Sequence, residues 1–269
     1  MRKSNTIAVV ILVVVLFAGL TFVLISRQRA VTPEETVSTD ESLEAVNPLL
    51  EAGEEDTAIA DLEAAIEADP GDSKAHFRLG QIYNQTGKLL EAASEFRTVI
   101  ALDPENAAAH HNLGVTLLQL QDLGGAIAEF ETAIKLDPDD PDSHYQLGAS
   151  YMYLALAGVE SVDVQQVLGQ AQAEFETALE LKADMPEALV GLGNIYNQQQ
   201  DYAAAIQVLQ QAIEQAPDLP EAYYALGEAY ARSDDVSNAC ETYSRFLEMD
   251  SPPMWQDQAR QLMTALGCP

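Results

Sequence analysis

Three prolines set the terms on which this chain can fold. Pro70, Pro104 and Pro138 stand 34 residues apart, and the residues between them recur in phase. The unit from Asn106 to Pro138 carries His110-His111-Asn112-Leu113-Gly114, then Leu117, Ala126, Phe130, Ala133 and Leu136-Asp137-Pro138. Shifted back, it meets His76, Leu79-Gly80, Tyr83, Ala92, Phe96 and Leu102-Asp103-Pro104; shifted forward, His144, Leu147-Gly148 and Tyr151. Gly193 and Gly227 are again 34 apart. A fixed period of this size is the mark of a solenoid, in which each unit is one supersecondary element that buries its apolar face only against its neighbours.

Each unit reads as two helices, so the fold class is all-α. The first, as in residues 73–86, holds the Leu-Gly pair. A glycine inside a helix costs about 1 kcal/mol against alanine, and its gain is the close approach of another helix where no side chain intervenes. The second, as in residues 89–102, places Ala92, Phe96 and Val99 at i, i+4 and i+7, on one helical face. Asp-Pro then ends it, because the residue before proline is pushed out of the helical region.

The run of Leu-Gly, an aromatic three positions on, a small residue, Phe, Ala and Pro resembles the tetratricopeptide repeat family, from about Leu49 to the C-terminus. The resemblance implies a right-handed superhelical solenoid of helix–turn–helix repeats that binds peptides or protein partners. About six units fit in residues 48–251. The first, 48–69, is degenerate: its second helix shows Ala58, Leu62, Ala65 and Ile66, but its first is short and lacks Leu-Gly. The fourth carries 11 extra residues, since Gly148 and Gly193 are 45 apart instead of 34. They fall near 154–170, where a helical protrusion is expected, bent over Ala155–Glu160, with a second helix starting near Ser161 or Asp163 and keeping Val164, Leu168, Ala171 and Phe175 on one face. Ala183 stands where a closing proline is expected, and Pro186 is a candidate substitute. Residues 252–269 read as an amphipathic capping helix from Met254 to Leu266 and a tail.

The N-terminal part is of another kind. Residues 1–6 are basic. Residues 7–25 are an apolar run of 19, broken only by Gly19 and Thr21. At about 1.5 Å per residue this nearly matches a hydrocarbon core of roughly 30 Å. A secretory signal has a shorter apolar core and a small-residue cleavage site, whereas Ser26-Arg27-Gln28-Arg29 follows here; an uncleaved single-pass transmembrane helix is therefore the favoured reading. Arg2 and Lys3 face Arg27 and Arg29 across it, and the free amine tips the orientation towards repeats on the extracytoplasmic side. Residues 26–47 read as an acidic flexible linker. With these features the resemblance is to a membrane-anchored tetratricopeptide repeat protein of bacterial type.

The net charge is −30, with 13 Lys and Arg against 43 Asp and Glu. A phosphate backbone would be repelled, so nucleic acid is excluded, and neutral to basic partners are favoured. No glycine-rich phosphate loop, His-Glu-x-x-His or G-x-S-x-G occurs, so an enzyme is not expected, and neither is a cofactor. His76, His110 and His144 lie 34 apart. A metal ladder fails on distance, since packed helices stand about 8–10 Å apart while a zinc ligand lies within about 2.1 Å of the metal. These histidines read as half-buried packing residues, and no metal site is expected. Cys240 and Cys268 are the only cysteines. A bridge between them would pin the cap and close a loop worth roughly 3 kcal/mol; the alternative is one buried and one frayed terminal thiol.

Tetratricopeptide proteins usually bind peptides along the inner wall of their first helices. By repeat phase that concave wall includes Phe77, Gln81, Asn84, His111, Tyr145, Asn194, Asn197, Tyr224 and Glu228. Asn holds a peptide backbone by donating and accepting at once, and Tyr offers area with a polar tip. The basic clamps by which some members hold a terminal carboxylate are missing, Arg78 and Arg232 being marginal. The expected function is a non-enzymatic interaction scaffold or chaperone-like assembly factor, tethered to a membrane and holding a peptide or protein. The alternative is an architectural protein that self-associates or spaces others, with no peptide groove in use.

Overall fold

A computed structural model describes residues 55–158 and 162–268. Among them lie twelve α-helices and no strand: α1 (Glu55–Ala68), α2 (Ser73–Gln85), α3 (Leu89–Leu102), α4 (Ala107–Gln119), α5 (Leu123–Leu136), α6 (Pro141–Leu156), α7 (Val164–Leu181), α8 (Pro186–Gln199), α9 (Tyr202–Gln215), α10 (Pro220–Arg232), α11 (Val236–Leu247) and α12 (Pro253–Leu266). The expected transmembrane helix over 7–25, the expected linker over 26–47 and the expected first helix of the degenerate repeat lie outside the described residues. Among the described residues no helix is long and apolar enough to cross a membrane.

The acids that dominate the composition begin many of these helices. Asp72, Asn106, Asp122, Asp163, Asp201 and Asp235 each accept from backbone N–H groups of the first turn. Such a cap satisfies donors that have no intrahelical partner and is worth about 1 kcal/mol.

The chain divides into two compact units, one ending at Gln146 and one beginning at Leu147, so the boundary falls inside α6. In the first, α1 to α5 pack each on the next, and α2 also touches α4. In the second, α7 to α12 do the same, and α8 touches α10. Hairpin upon hairpin, with first helix against first helix, is the solenoid order.

The Leu-Gly pair works as a socket. Leu79, Leu113, Leu147, Leu192 and Leu226 are buried. A Cβ on Gly80 would come within 2.9 Å of Phe96, on Gly114 within 2.7 Å of Phe130, and on Gly148 within 3.0 Å of Phe175. On Gly193 it would meet Leu209 at 2.5 Å, and on Gly227 Tyr243 at 2.6 Å. Each second helix thus seats its largest side chain on bare backbone of the first, and each of those side chains is fully buried.

Helix α3 has the expected bounds, α2 ends one residue early and α12 begins one residue early. The fourth repeat differs in detail. Helix α6 has 16 residues where α2 has 13, and α7 has 18 where α3 has 14. The other additional residues lie between α6 and α7, where 159–161 are outside the described residues. Ala155 and Leu156, expected in a bend, are helical, and Asp163 caps α7. Val164 does not join the buried face: at the first position of α7 it is 42% exposed, and Val167 is buried in its place, one turn before Ala171. Pro186 opens α8 at its first turn and does not close α7, which ends with Lys182 in extended conformation.

Candidate functional site

In the first unit the wall positions lie on three first helices. Phe77, Gln81 and Asn84 share one face of α2, at i, i+4 and i+7; His111 lies on α4 and Tyr145 on α6. All five are half-buried. Phe77 meets Phe96 edge-on, centroids 5.7 Å apart, and His111 meets Phe130 in the same way at 5.8 Å. The polar groups tie neighbouring first helices together. Asn84 Nδ2 donates to Thr116 Oγ1 at 2.7 Å, and Gln119 Nε2 donates to Asn84 Oδ1 at 3.3 Å. Arg78 donates to Gln81 at 3.1 Å, along its own helix.

His111 brings a serine and an aspartate with it, a grouping not foreseen from the sequence. Its Nδ1 lies 2.7 Å from Ser143 Oγ and 3.6 Å from Asp140 Oδ2, while Ser143 Oγ donates to Asp140. This is not a catalytic relay. A relay needs the serine on one ring nitrogen and the carboxylate on the other, whereas here both lie on Nδ1. Asp140 also accepts from the Asp142 and Ser143 N–H groups, as the cap of α6. Burial pushes the His111 pKa down, against the nearby charges of Asp140 and Asp142. The arrangement is a polar splice between α4 and α6.

In the second unit the wall is drawn inward. Asn194 is half-buried, whereas Asn197, Tyr224 and Glu228 are 5%, 4% and 9% exposed. Tyr224 belongs to an aromatic cluster, with centroids 5.9 Å from Tyr243, 5.4 Å from Phe246 and 5.5 Å from Trp255. Asn197 Nδ2 donates to the Ala225 carbonyl at 3.1 Å, and its Oδ1 is buried with no protein hydrogen bond. The Tyr243 hydroxyl is in the same condition. The Glu228 carboxylate has Arg232 Nη2 at 3.8 Å, beyond hydrogen-bond reach. Burial pushes the Glu228 pKa up to about 7, Arg232 offsetting only part of the effect. Burial likewise raises Tyr224 and Tyr243 above their ordinary values, with the Glu228 charge adding to both.

The three phased histidines are engaged inside their own repeats. His76 Nδ1 lies 2.6 Å from Glu95, and its Nε2 3.3 Å from the Pro70 carbonyl. His110 repeats this with Glu129 at 2.7 Å and Pro104 at 3.2 Å. His144 Nε2 reaches the Pro138 carbonyl at 3.1 Å. Each ties a first helix to the turn before it. Tyr83 is buried and Tyr230 partly buried, and both bond backwards, Tyr83 donating to Glu63 at 2.8 Å and Tyr230 accepting from Gln210 at 3.0 Å. Cys240 and Cys268 are joined in a disulfide, Cα atoms 5.5 Å apart, linking α11 to the end of α12.

The sequence matches the tetratricopeptide repeat family in overlapping stretches. One description, TPR repeat, matches residues 80–121, 116–154 and 193–234; two others, each tetratricopeptide repeat, match 43–99 and 220–252. The chain belongs to the tetratricopeptide repeat family. Solved structures share its fold. PilF of Pseudomonas aeruginosa aligns at TM-score 0.69 and 18% identity, over 82% of this chain and 95% of that one. A tetratricopeptide repeat protein from Parabacteroides merdae aligns at 0.67 and 18%, over 84% and 85%. YrrB, described as a TPR protein with an unusual peptide-binding site, aligns at 0.58 and 20%, over 74% and 97%. No curated protein matches this tetratricopeptide chain in sequence.

Proposed function

We propose that this tetratricopeptide protein is a non-enzymatic scaffold or assembly factor that holds a neutral to basic peptide or protein along the inner wall of its first helices. It is tethered to a membrane by residues 7–25, with the repeats on the extracytoplasmic side. Tetratricopeptide proteins in general mediate protein–protein interactions, and YrrB is a relative in fold described by its peptide-binding site. The observation that carries the reading is the kind of residue at the wall positions: amides at Gln81, Asn84, Asn194 and Asn197, aromatics at Phe77, Tyr145 and Tyr224, and an acid at Glu228. Amides match a peptide backbone, and the acid favours a cationic side chain. The tether rests on the 19-residue apolar run and its basic flanks. The compartment rests on the Cys240–Cys268 bridge, since disulfides persist outside the reducing cytosol.

The test is proximity labelling from the repeats of the full chain in its native cell. The expected neighbours are extracytoplasmic and membrane proteins, and they are lost when Tyr145→Ala, Asn194→Ala and Asn197→Ala are combined. A neighbour set unchanged by that variant, or light scattering that shows concentration-dependent self-association and no partner, overturns the reading.

A further inference from the structure

We propose that the last two repeats form a subsite for a primary ammonium group, the side chain of a lysine in the partner, from Asn197 of the fifth and Glu228 and Tyr243 of the sixth. The proposal rests on the reading that the wall takes a peptide, and it specifies one side chain of that peptide. Its first support is an imbalance of hydrogen-bonding groups. The Asn197 Oδ1 is an acceptor with nothing to accept from, and the Tyr243 hydroxyl has no partner. Glu228 has two acceptor oxygens and one cation at 3.8 Å, too far for a hydrogen bond. Buried acceptors without donors are costly. An ammonium has several N–H donors and no acceptor, so it suits the amide and carboxylate oxygens, and the phenol oxygen, which can also donate, accepts from it.

The second support is placement. Asn197 Nδ2 is fixed on the Ala225 carbonyl, one helical turn before Glu228. The Tyr243 ring lies across Gly227, its Cζ 2.9 Å from where a Cβ would stand, which brings the hydroxyl end beside the next residue, Glu228. The electrostatic influence of Glu228 and Arg232 on Tyr243 agrees with that proximity. The third support is internal comparison. At the Tyr243 position the second, third and fourth repeats carry Phe96, Phe130 and Phe175; at the Glu228 position they carry Gln81, Val115 and Ala149, and the fifth carries Asn194. The hydroxyl and the carboxylate therefore occur together in one repeat, at positions the core alone fills with apolar groups or amides. Single oxygens from three helices, α8, α10 and α11, suit a compact ammonium better than a planar guanidinium, which seeks a bidentate carboxylate.

The test uses the full chain, immobilised, and three end-blocked decapeptide pools randomised at every position but the fifth, which holds lysine, Nε-acetyllysine or arginine. The lysine pool should be retained about tenfold more than the acetyllysine pool, the scale of one charge-assisted hydrogen bond. Glu228→Gln should abolish that preference, and an unchanged circular dichroism spectrum at pH 7 reports that the variant is folded. Tyr243→Phe, which restores the side chain of the other repeats, should reduce the preference. Equal retention of lysine and acetyllysine, equal retention of lysine and arginine, or a preference that survives Glu228→Gln overturns the ammonium subsite while the peptide-binding reading stands. Failure to retain any pool overturns both.

Discussion

At the scale of single residues, the glycine of each first helix and the large side chain of each second helix act as one part in two pieces. Gly114→Ala would set a methyl 2.7 Å from the Phe130 ring, which is fully buried and has no room to move. The expected loss is about 1–3 kcal/mol, the usual scale of overpacking, read as a lower urea midpoint. Gly124, at the start of α5, has nothing within 4 Å of its Cβ position, so Gly124→Ala should stabilise by up to about 1 kcal/mol in the same assay. Glu228 gives a pH dependence. Its folded pKa, about 7, stands above the ordinary 4.5, so the folded chain keeps the proton over a window in which the unfolded chain releases it. Its contribution is fully present below 4.5 and is lost as pH rises to 7. At 1.36 kcal/mol per unit the loss approaches about 3 kcal/mol. Glu228→Gln, which cannot ionise, should be more stable than the native chain at pH 8, and the gap should close below pH 4.5. Parallel urea curves at both pH values would refute this.

At the scale of elements, α12 is held in two ways. Trp255 and Ala259 bury one side of α12 against Tyr224, Tyr243 and Phe246. The disulfide between residues 240 and 268 closes a loop that the chain-entropy relation values at about 3–4 kcal/mol. Cys240→Ser with Cys268→Ser should therefore raise amide hydrogen exchange across residues 253–266 before it affects α8 and α9. Trp255→Ala, which leaves a cavity as well, should release the same helix at a cost of about 3–5 kcal/mol. The histidine bridges act between elements in the same spirit. His110→Ala removes the link from α4 both to Glu129 and to the turn at Pro104, and should cost about 1–3 kcal/mol. Protection of α4 and α5 from exchange is the measurement that checks it.

At the scale of the whole molecule, charge is the dominant property. With a net −30, the folded chain works against its own repulsion, so its melting temperature should rise as salt is added from low ionic strength. A melting temperature indifferent to salt would mean that the acids are already neutralised locally, by caps and pairs. Much of the fold was legible because a 34-residue period states the same hairpin several times, and each statement is local: a cap, a leucine and glycine, a phenylalanine, an Asp-Pro. Helix α3 could be bounded to the residue for that reason. The fourth repeat was read less well, because its inserted residues have no second copy to set their phase, and Val164 was given a place that Val167 takes. The wall positions were assigned by phase, and phase says nothing of their surroundings. The sequence by itself determined the hairpins, their order and the sockets between paired helices, since these depend on residues less than one repeat apart. Only the tertiary structure decided that His111 meets Ser143 and Asp140, that Tyr224 faces the cap, that the Asn197 Oδ1 is buried with no protein donor, and that Glu228 is buried and has Arg232 at 3.8 Å. Burial and pairing at those positions come from side chains on other helices, and periodicity, which is a property of spacing, carries no information about what a neighbouring helix presents.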